Sequence, residues 1–204
     1  MTTPNDLLLW RRAVAGDADA FGLLYTRHAR AVERYCLWQT GDPALAEDLA
    51  SIVFLEAWRR RKKTPLSTAS AKPLLLAIAT NVVRNQHRAR RRHGAALDRL
   101  GRANEDRPDH DNASVERIDA RDRLSAVRER LQALPRRERE VLALVALADL
   151  SYEETAAALN LPIGTVRSRL SRARARLAAD GQPSPLDLGL APVMTLSLPT
   201  ETSA

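Results

Sequence analysis

Apolar residues recur along most of the chain in steps of three and four, which is the spacing of one face of an α-helix. Asp42-Pro43 is typical of a helix start, with an aspartate that caps the first turn and a proline at its first position. The apolar positions then run from Leu45 to Trp58. A second helix is predicted from Pro73, apolar over residues 74–83 and cationic over residues 84–92. The five arginines of that basic end suggest a surface that follows nucleic-acid phosphates.

Three further helices are predicted in the C-terminal part of the chain. The first, over residues 136–147, has a broad apolar face. Ser151 followed by Glu154 is a capping box that starts the second helix, which ends at Asn160-Leu161-Pro162. Ile163 begins the third. The short spacing between the last two helices predicts a helix-turn-helix.

The last of these helices carries arginines on both sides of a narrow crest. At about 100° per residue, four small or apolar residues form one buried stripe, namely Val166, Leu170, Ala173 and Leu177. Arg167 and Arg174 lie on one shoulder, Arg169, Arg172 and Arg176 on the other, and Ser168, Ser171 and Ala175 on the crest between them. No acidic residue occurs over residues 160–179. We therefore predict a helix that enters the major groove of DNA and reaches phosphates or guanine edges with its arginines.

Composition and charge agree with a helical nucleic-acid binder. Only 4% of residues are aromatic, whereas 45% are hydrophobic, and Ala, Leu and Arg are among the best helix formers. The net charge of +7 favours a polyanionic partner. We predict an all-α fold with two small helical domains, over residues 5–99 and 120–180, and an irregular tail over residues 181–204. A flexible linker over residues 100–119 joins the domains, and with three basic and six acidic residues its charge is 3 − 6 = −3.

The sequence gives little support for a redox site, a metal site or a membrane-spanning segment. Cys36 is the single cysteine and lies among apolar residues, so we expect a buried structural thiol rather than a redox sensor. The four histidines lack the spacing of metal ligands, and we expect no metal and no cofactor. The N-terminus has no signal-peptide pattern, and no apolar run approaches the ~18 residues of a membrane span. We therefore expect a cytoplasmic protein without membrane insertion.

Segments of both domains resemble the extracytoplasmic function (ECF) sigma factors, the small members of the sigma-70 family. In the C-terminal domain the similar segments are residues 133–144, 150–159 and 164–174. In the N-terminal domain they are residues 21–25, 42–49, 53–59 and 78–81, in the same order and at matching separations. The resemblance implies an N-terminal domain like sigma region 2 and a C-terminal helix-turn-helix domain like sigma region 4.

The resemblance also implies partners and site residues. Such a protein binds core RNA polymerase, directs it to particular promoters, and helps to melt the −10 element; it is not an enzyme and takes no small-molecule substrate. An anti-sigma factor is a candidate partner. The −35 element would be read by Thr165, Arg167, Ser168, Arg169, Ser171, Arg172, Arg174 and Arg176. The −10 element would be read by Asn81, Arg84, Asn85, His87, Arg88 and Arg91, and core polymerase would be bound by Asp48, Ser51, Ile52, Glu56 and Arg59.

Two of the departures from the family pattern bear on function. After Asp48-Leu49 the family usually carries a glutamine and then an acidic residue, where this chain has Ser51 and Ile52. The polymerase-facing surface is therefore more apolar than usual. The tail over residues 181–204 is rich in leucine, and it either folds over the domains, binds a regulator or is a disordered end.

Two alternatives remain open from the residues alone. A helix-turn-helix repressor or activator would bind DNA without polymerase, but the N-terminal domain shows no pocket chemistry for a ligand. A recombinase or nuclease would need a nucleophile with a base, or clustered carboxylates. The acidic pairs Glu47-Asp48 and Glu153-Glu154 lie at helix starts, where capping explains them.

Overall fold

The computed structural model describes residues 5–66, 68–99 and 129–179, with residues 94–99 as backbone only. All regular structure in these ranges is helical, which confirms the predicted fold class. The N-terminal helices are α1 (Asp6–Val14), α2 (Ala18–Thr40), α3 (Pro43–Arg60) and α4 (Lys72–Arg99). After a short helical segment over residues 129–133 come α5 (Arg136–Leu142), α6 (Tyr152–Leu159) and α7 (Ile163–Ala178).

Local capping sets the ends of the N-terminal helices. The Asp42 carboxylate accepts a hydrogen bond from the Leu45 amide at 3.1 Å, as the Asp-Pro pair predicts. Asp17 caps α2 in the same way, accepting from the Ala20 amide at 2.9 Å. Gly41 ends α2 with a φ of 72°, the left-handed conformation that glycine adopts without a steric penalty.

A buried carboxylate fastens α1 to the rest of the N-terminal bundle. Asp6 is 4% exposed, forms an ion pair with Arg27, and lies 2.6 Å from His28 Nε2. It also accepts a hydrogen bond from the Ala71 amide at 2.8 Å. Burial alone would raise the pKa of the Asp6 carboxyl, but the Ala71 amide and His28 outweigh it and the pKa is lowered. Asp6 thus joins α1, α2 and the turn that precedes α4.

The predicted helix over residues 136–147 is not one continuous α-helix. It is α-helical to Leu142 and becomes a π-helix over Ala143–Leu147. The π-helical turn is followed directly by the short connection to α6. In this connection the chain changes direction, and Asp149 has a φ of 51°. The Leu150 amide donates to the Leu144 carbonyl at 3.0 Å, so a carbonyl at the helix end keeps a partner. The apolar spacing could not distinguish this widening from a regular helix.

The two helical regions pack against each other in one arrangement. A single hydrophobic core includes Val83 of α4 and Leu144 of the π-helical turn, each at most 2% exposed. Helix α4 contacts α6, and α2 contacts the π-helical turn. Gln132 donates a hydrogen bond from Nε2 to the Trp38 carbonyl at 2.9 Å. The predicted acidic linker over residues 100–119 and the tail over residues 181–204 lie outside the described residues.

Candidate nucleic-acid interface

Helix α7 has the buried stripe that its sequence predicts. Val166, Leu170, Ala173 and Leu177 are each at most 2% exposed and pack into the C-terminal core. The serines and the alanine of the crest are exposed. Since the helix is held by four small or apolar side chains on one face, its opposite face projects from the domain. This geometry suits insertion into a major groove, which is about 12 Å wide.

The arginines of α7 differ in their exposure to solvent and in their contacts within the protein. Arg167, Arg172 and Arg174 are exposed. The Arg167 guanidinium lies 6.0 Å from the centre of the Tyr152 ring, and Arg172 Nε donates to the Ser168 carbonyl at 3.2 Å. None of these three forms an ion pair within the described residues. Three predicted −35 residues are thus exposed cations.

The other two arginines of α7, Arg169 and Arg176, lie close to charged residues of α5. Arg176 Nε lies 3.0 Å from Glu138 Oε2, although the Arg176 side chain is still 58% exposed. Arg169 is half-buried. Burial and the neighbouring Arg137 lower the pKa of Arg169. Thr165 is also half-buried. The predicted −35 residues therefore fall into two groups. The first group is exposed to solvent and consists of Arg167, Ser168, Ser171, Arg172 and Arg174. In the second group Thr165 and Arg169 are half-buried, and Arg176 is paired with Glu138.

The basic end of α4 is divided in the same way. Asn81, Asn85, Arg88 and Arg91 are exposed, and Arg88 Nη2 donates to Asn85 Oδ1 at 2.8 Å. Arg84 and His87, which are also predicted −10 residues, turn towards the C-terminal domain instead and are half-buried. The sequence suggested one continuous phosphate-facing surface from Arg84 onwards. The structure shows that Arg84 is an interdomain residue in this conformation.

The environments of Arg84 and His87 differ in electrostatics. Arg84 donates from Nε to Glu140 Oε1 at 3.0 Å and from Nη2 to Glu140 Oε2 at 2.7 Å, and these hydrogen bonds raise the pKa of Arg84. The pKa of His87 is lowered, first by burial and then by the positive charges of Arg136, Arg139 and Arg90, with Glu140 acting weakly in the opposite sense. His87 Nε2 has no hydrogen-bond partner among the described residues. The packed arrangement therefore favours neutral His87.

The sequence analysis did not identify Glu140 as a functional residue. It is 2% exposed and lies between Val141 and Arg139 on a helix that is buried over most of its length. The available signal was a carboxylate close to three arginines of the same helix, Arg136, Arg137 and Arg139, but an intrahelical pair with Arg136 is enough to explain that spacing. Only the three-dimensional arrangement brings Arg84 to it.

The predicted polymerase-binding residues lie on one exposed face of α3. Asp48, Ser51, Ile52 and Arg59 are exposed, and Glu56 is half-buried and lies 2.8 Å from Arg60 Nε. Ile52 is 43% exposed, and Leu55, one turn further along, is 48% exposed. Ile52 was predicted to lie on the polymerase-facing surface, whereas the apolar spacing over residues 45–58 predicted that Leu55 lies on the packed side. That assignment was wrong, because Leu55 lies about 120° round the helix from the buried Leu49.

The described part of the chain contains no group of histidine, cysteine and carboxylate side chains that could hold a metal ion. Within the same residues, no helix is long and apolar enough to cross a membrane. Cys36 is fully buried, as its neighbours predict, and burial followed by the nearby Glu33 raises its pKa to about 12.

Comparison with known proteins identifies both helical regions. Residues 24–93 match the model of sigma-70 region 2, and residues 124–177 match that of sigma-70 region 4. The RNA polymerase sigma-H factor of Pseudomonas aeruginosa is 32% identical over 188 residues, covering 90% of this chain and 97% of that protein. The ECF RNA polymerase sigma factor BldN of Streptomyces coelicolor is 33% identical over 84% of this chain, which spans 65% of BldN. Among solved structures, CnrH in complex with the cytosolic domain of CnrY superposes with a TM-score of 0.66 at 25% identity, covering 87% of this chain and 99% of that one.

Proposed function

The chain belongs to the sigma-70 family as an ECF RNA polymerase sigma factor, and we propose how its helices divide the work of promoter recognition. It binds core RNA polymerase and promoter DNA, directs promoter-specific transcription, and is not an enzyme. The observation that carries the assignment of roles is the set of exposed arginines on the two shoulders of α7, Arg167, Arg172 and Arg174, in a segment without a single carboxylate over residues 160–179.

We assign the −35 element to the C-terminal domain, over residues 120–180. Ser168 and Ser171 allow α7 to approach the base edges, and the exposed Arg167, Arg172 and Arg174 reach phosphates or guanines from both sides. Thr165, Arg169 and Arg176 complete the surface at its edges. Arg176 would first have to loosen its contact with Glu138, so its net contribution should be smaller than that of Arg167.

We assign the −10 element to α4, within an N-terminal domain over residues 5–99. The exposed stripe of Asn81, Asn85, Arg88 and Arg91 combines amides that can bond to bases with cations that hold the backbone. Such a surface stabilises a melted strand, since extruded bases are retained once the backbone is held electrostatically. Arg84 and His87 would join this surface when the two domains separate.

We assign the contact with core polymerase to the exposed face of α3. Its centre is apolar, with Ile52 and Leu55 side by side, and its ends are charged, with Asp48 at one end and Arg59 at the other. Apolar side chains surrounded by polar ones are the usual composition of a protein interface. The serine and isoleucine that depart from the family pattern would therefore replace polar contacts by burial of apolar area.

Two further assignments concern the cellular location of the protein and a protein partner that holds it. The protein would act in the cytoplasm, with polymerase and the chromosome. It would also be held by a protein partner of the anti-sigma class, since the similar chain CnrH was solved in complex with the cytosolic domain of a second protein. The exposed apolar residues of α3 are a natural place for competition between such a partner and polymerase.

Site-specific photocrosslinking tests the division of roles. A photoreactive amino acid would replace Ser171, Arg88 or, as a control, the exposed Glu47 in the full chain bound to core polymerase. On a promoter taken from transcripts that rise when the protein is overexpressed, we expect Ser171 to crosslink near −35 and Arg88 near −10, and Glu47 to give no DNA adduct. Crosslinks of Ser171 to the −10 region, or none at either position, would overturn the assignment.

A further inference from the structure

The first turn of α6 places a carboxylate beside one arginine of the proposed −35 helix. Arg167 of α7 points towards this turn, since its guanidinium lies 6.0 Å from the centre of the Tyr152 ring. Glu153 is the next residue of α6 and is exposed. The pKa of Glu153 is lowered, first by hydrogen bonds from its own amide and from the Ser151 side chain, and further by the charge of Arg167. Glu153 is therefore an ionised neighbour of Arg167.

The start of α6 holds this carboxylate in place. Ser151 Oγ accepts a hydrogen bond from the Glu154 amide at 3.1 Å, and Glu154 Oε2 accepts one from the Ser151 amide at 2.9 Å. This capping box occupies the Glu154 carboxylate and fixes the Ser151 hydroxyl, which bonds to Glu153. A carboxylate has about four lone-pair sites, so Glu153 can still accept hydrogen bonds from α7.

Arg167 keeps its hydrogen-bond donors available. In the part of the chain that the structure describes, no ion pair joins it to Glu153 or to another carboxylate. A guanidinium carries five N–H donors in one rigid plane. It can therefore bond to a guanine edge with two donors and face a carboxylate with others.

A carboxylate beside Arg167 changes which group of the DNA the arginine favours. A backbone phosphate carries a full negative charge and is repelled by Glu153, whereas guanine O6 and N7 are neutral acceptors. Because Arg167 and Glu153 together have no net charge, the attraction to a phosphate is weakened more than the hydrogen bonds to a guanine. The geometry therefore favours a base contact at this position.

The opposite shoulder of α7 has the contrary electrostatics. Arg172 is exposed and shares this shoulder with Arg169. The pKa of Arg169 is lowered by burial and then by the charge of Arg137, with a smaller contribution from Arg172 in the same direction. Neighbouring cations favour a group with a full negative charge, such as a phosphate.

We propose that Glu153 determines specificity at the −35 element, by directing Arg167 to a guanine edge and away from the phosphates. The proposal rests on the assignment of α7 to the −35 element and deepens it, since one shoulder reads a base and the other holds the backbone. The base is guanine, because its major-groove edge offers two acceptors to one arginine. Glu153 acts through Arg167 and is a positioning residue.

A double-mutant cycle on the full chain, bound to core polymerase, tests the proposal. The duplexes differ by single base pairs across the −35 element, and affinity is measured at several salt concentrations. The variants are Glu153→Gln, Arg167→Ala and their combination. Asp149→Asn is the matched control, since it removes another exposed carboxylate of the same domain. Asparagine, like aspartate, tolerates the φ of 51° at this position.

We expect Glu153→Gln to reduce discrimination at one G·C pair about three- to tenfold. It should also steepen the salt dependence by about one, because Arg167 then turns to a phosphate. In the Arg167→Ala background the same substitution should change neither quantity, and Asp149→Asn should change neither in the wild type.

Two results would overturn the proposal and leave the assignment of α7 intact. A lower unfolding midpoint of Glu153→Gln with unchanged discrimination would show that Glu153 only stabilises the start of α6. An equal loss of discrimination with and without Arg167 would show that Glu153 does not act through this arginine. If Arg167→Ala itself changes neither affinity nor discrimination, the assignment of this shoulder to DNA fails together with the proposal.

Discussion

The substitution Arg167→Ala tests whether α7 reads bases in the major groove. A bidentate arginine–guanine contact contributes about 1–3 kcal/mol of discrimination. In the free chain the Arg167 guanidinium lies 6.0 Å from the centre of the Tyr152 ring, an exposed cation–π contact worth about 0.5–1 kcal/mol. If that contact is given up on binding, the net loss is roughly 0.5–2 kcal/mol, or about a two- to thirty-fold weaker complex at about 1.4 kcal/mol per tenfold.

The measurement is the affinity of the polymerase holoenzyme for promoter duplexes that differ only in the −35 element, at several salt concentrations. A base contact predicts that Arg167→Ala weakens binding to the native element and relaxes discrimination at one position. A phosphate contact predicts a uniform loss and a salt slope that falls by about one. Arg12→Ala is the control, since it removes the same charge from an exposed pair with Asp17 in the other domain. If both substitutions leave affinity, discrimination and salt slope unchanged, Arg167 does not touch DNA and the placement of this shoulder is refuted.

Three further predictions concern other parts of the molecule. Ser151→Ala removes a cap in which Ser151 Oγ accepts a hydrogen bond from the Glu154 amide at 3.1 Å. It should lower the free energy of unfolding by about 0.5–2 kcal/mol in thermal or urea denaturation. An unchanged midpoint would show that the capping box is dispensable. Ile52→Asp should reduce affinity for core polymerase at least several-fold in a pull-down titration, because it places a charge in the apolar centre of the α3 surface; unchanged or tighter binding would mean that the family's polar contact is retained there. The packing of the two domains lowers the pKa of His87, and separation of the domains should restore its ordinary value of about 6.5. The separated arrangement then binds more protons as the pH falls through this range, so acidification from about pH 7.5 to 5.5 should reduce energy transfer between two dyes, one on each domain. His87→Gln should make that profile flatter, and an equally steep fall in this variant would assign the effect to another group.

The sequence predicts local structure well where its signals are local. Asp42-Pro43 and the Ser151 capping box start helices where expected, and the stripe from Val166 to Leu177 is buried as its spacing requires. These features depend on residues within four positions of one another, so no tertiary information is needed to recognise them.

Features that depend on packing between distant segments were not predictable. In the sequence, Arg84 is one of several cations of a basic helix. Its partner Glu140 lies 56 residues further along the chain, so the sequence does not show the pair. Similarly, Leu55 fits an apolar periodicity but faces solvent, since the buried face of α3 is set by its contacts with α2 and α4. Glu140 and Leu55 became functional candidates only when the fold showed what surrounds them.

The central claim is that this chain directs polymerase to promoters, and run-off transcription with purified core polymerase tests it most directly. The template would be a promoter drawn from transcripts induced by overexpression of the protein. We expect a discrete run-off product that requires both core and the full chain, and that is lost when the −35 element or the −10 element is replaced. Absence of a product from a sample in which the chain binds that DNA would contradict the account, since it would leave a DNA-binding protein without sigma activity.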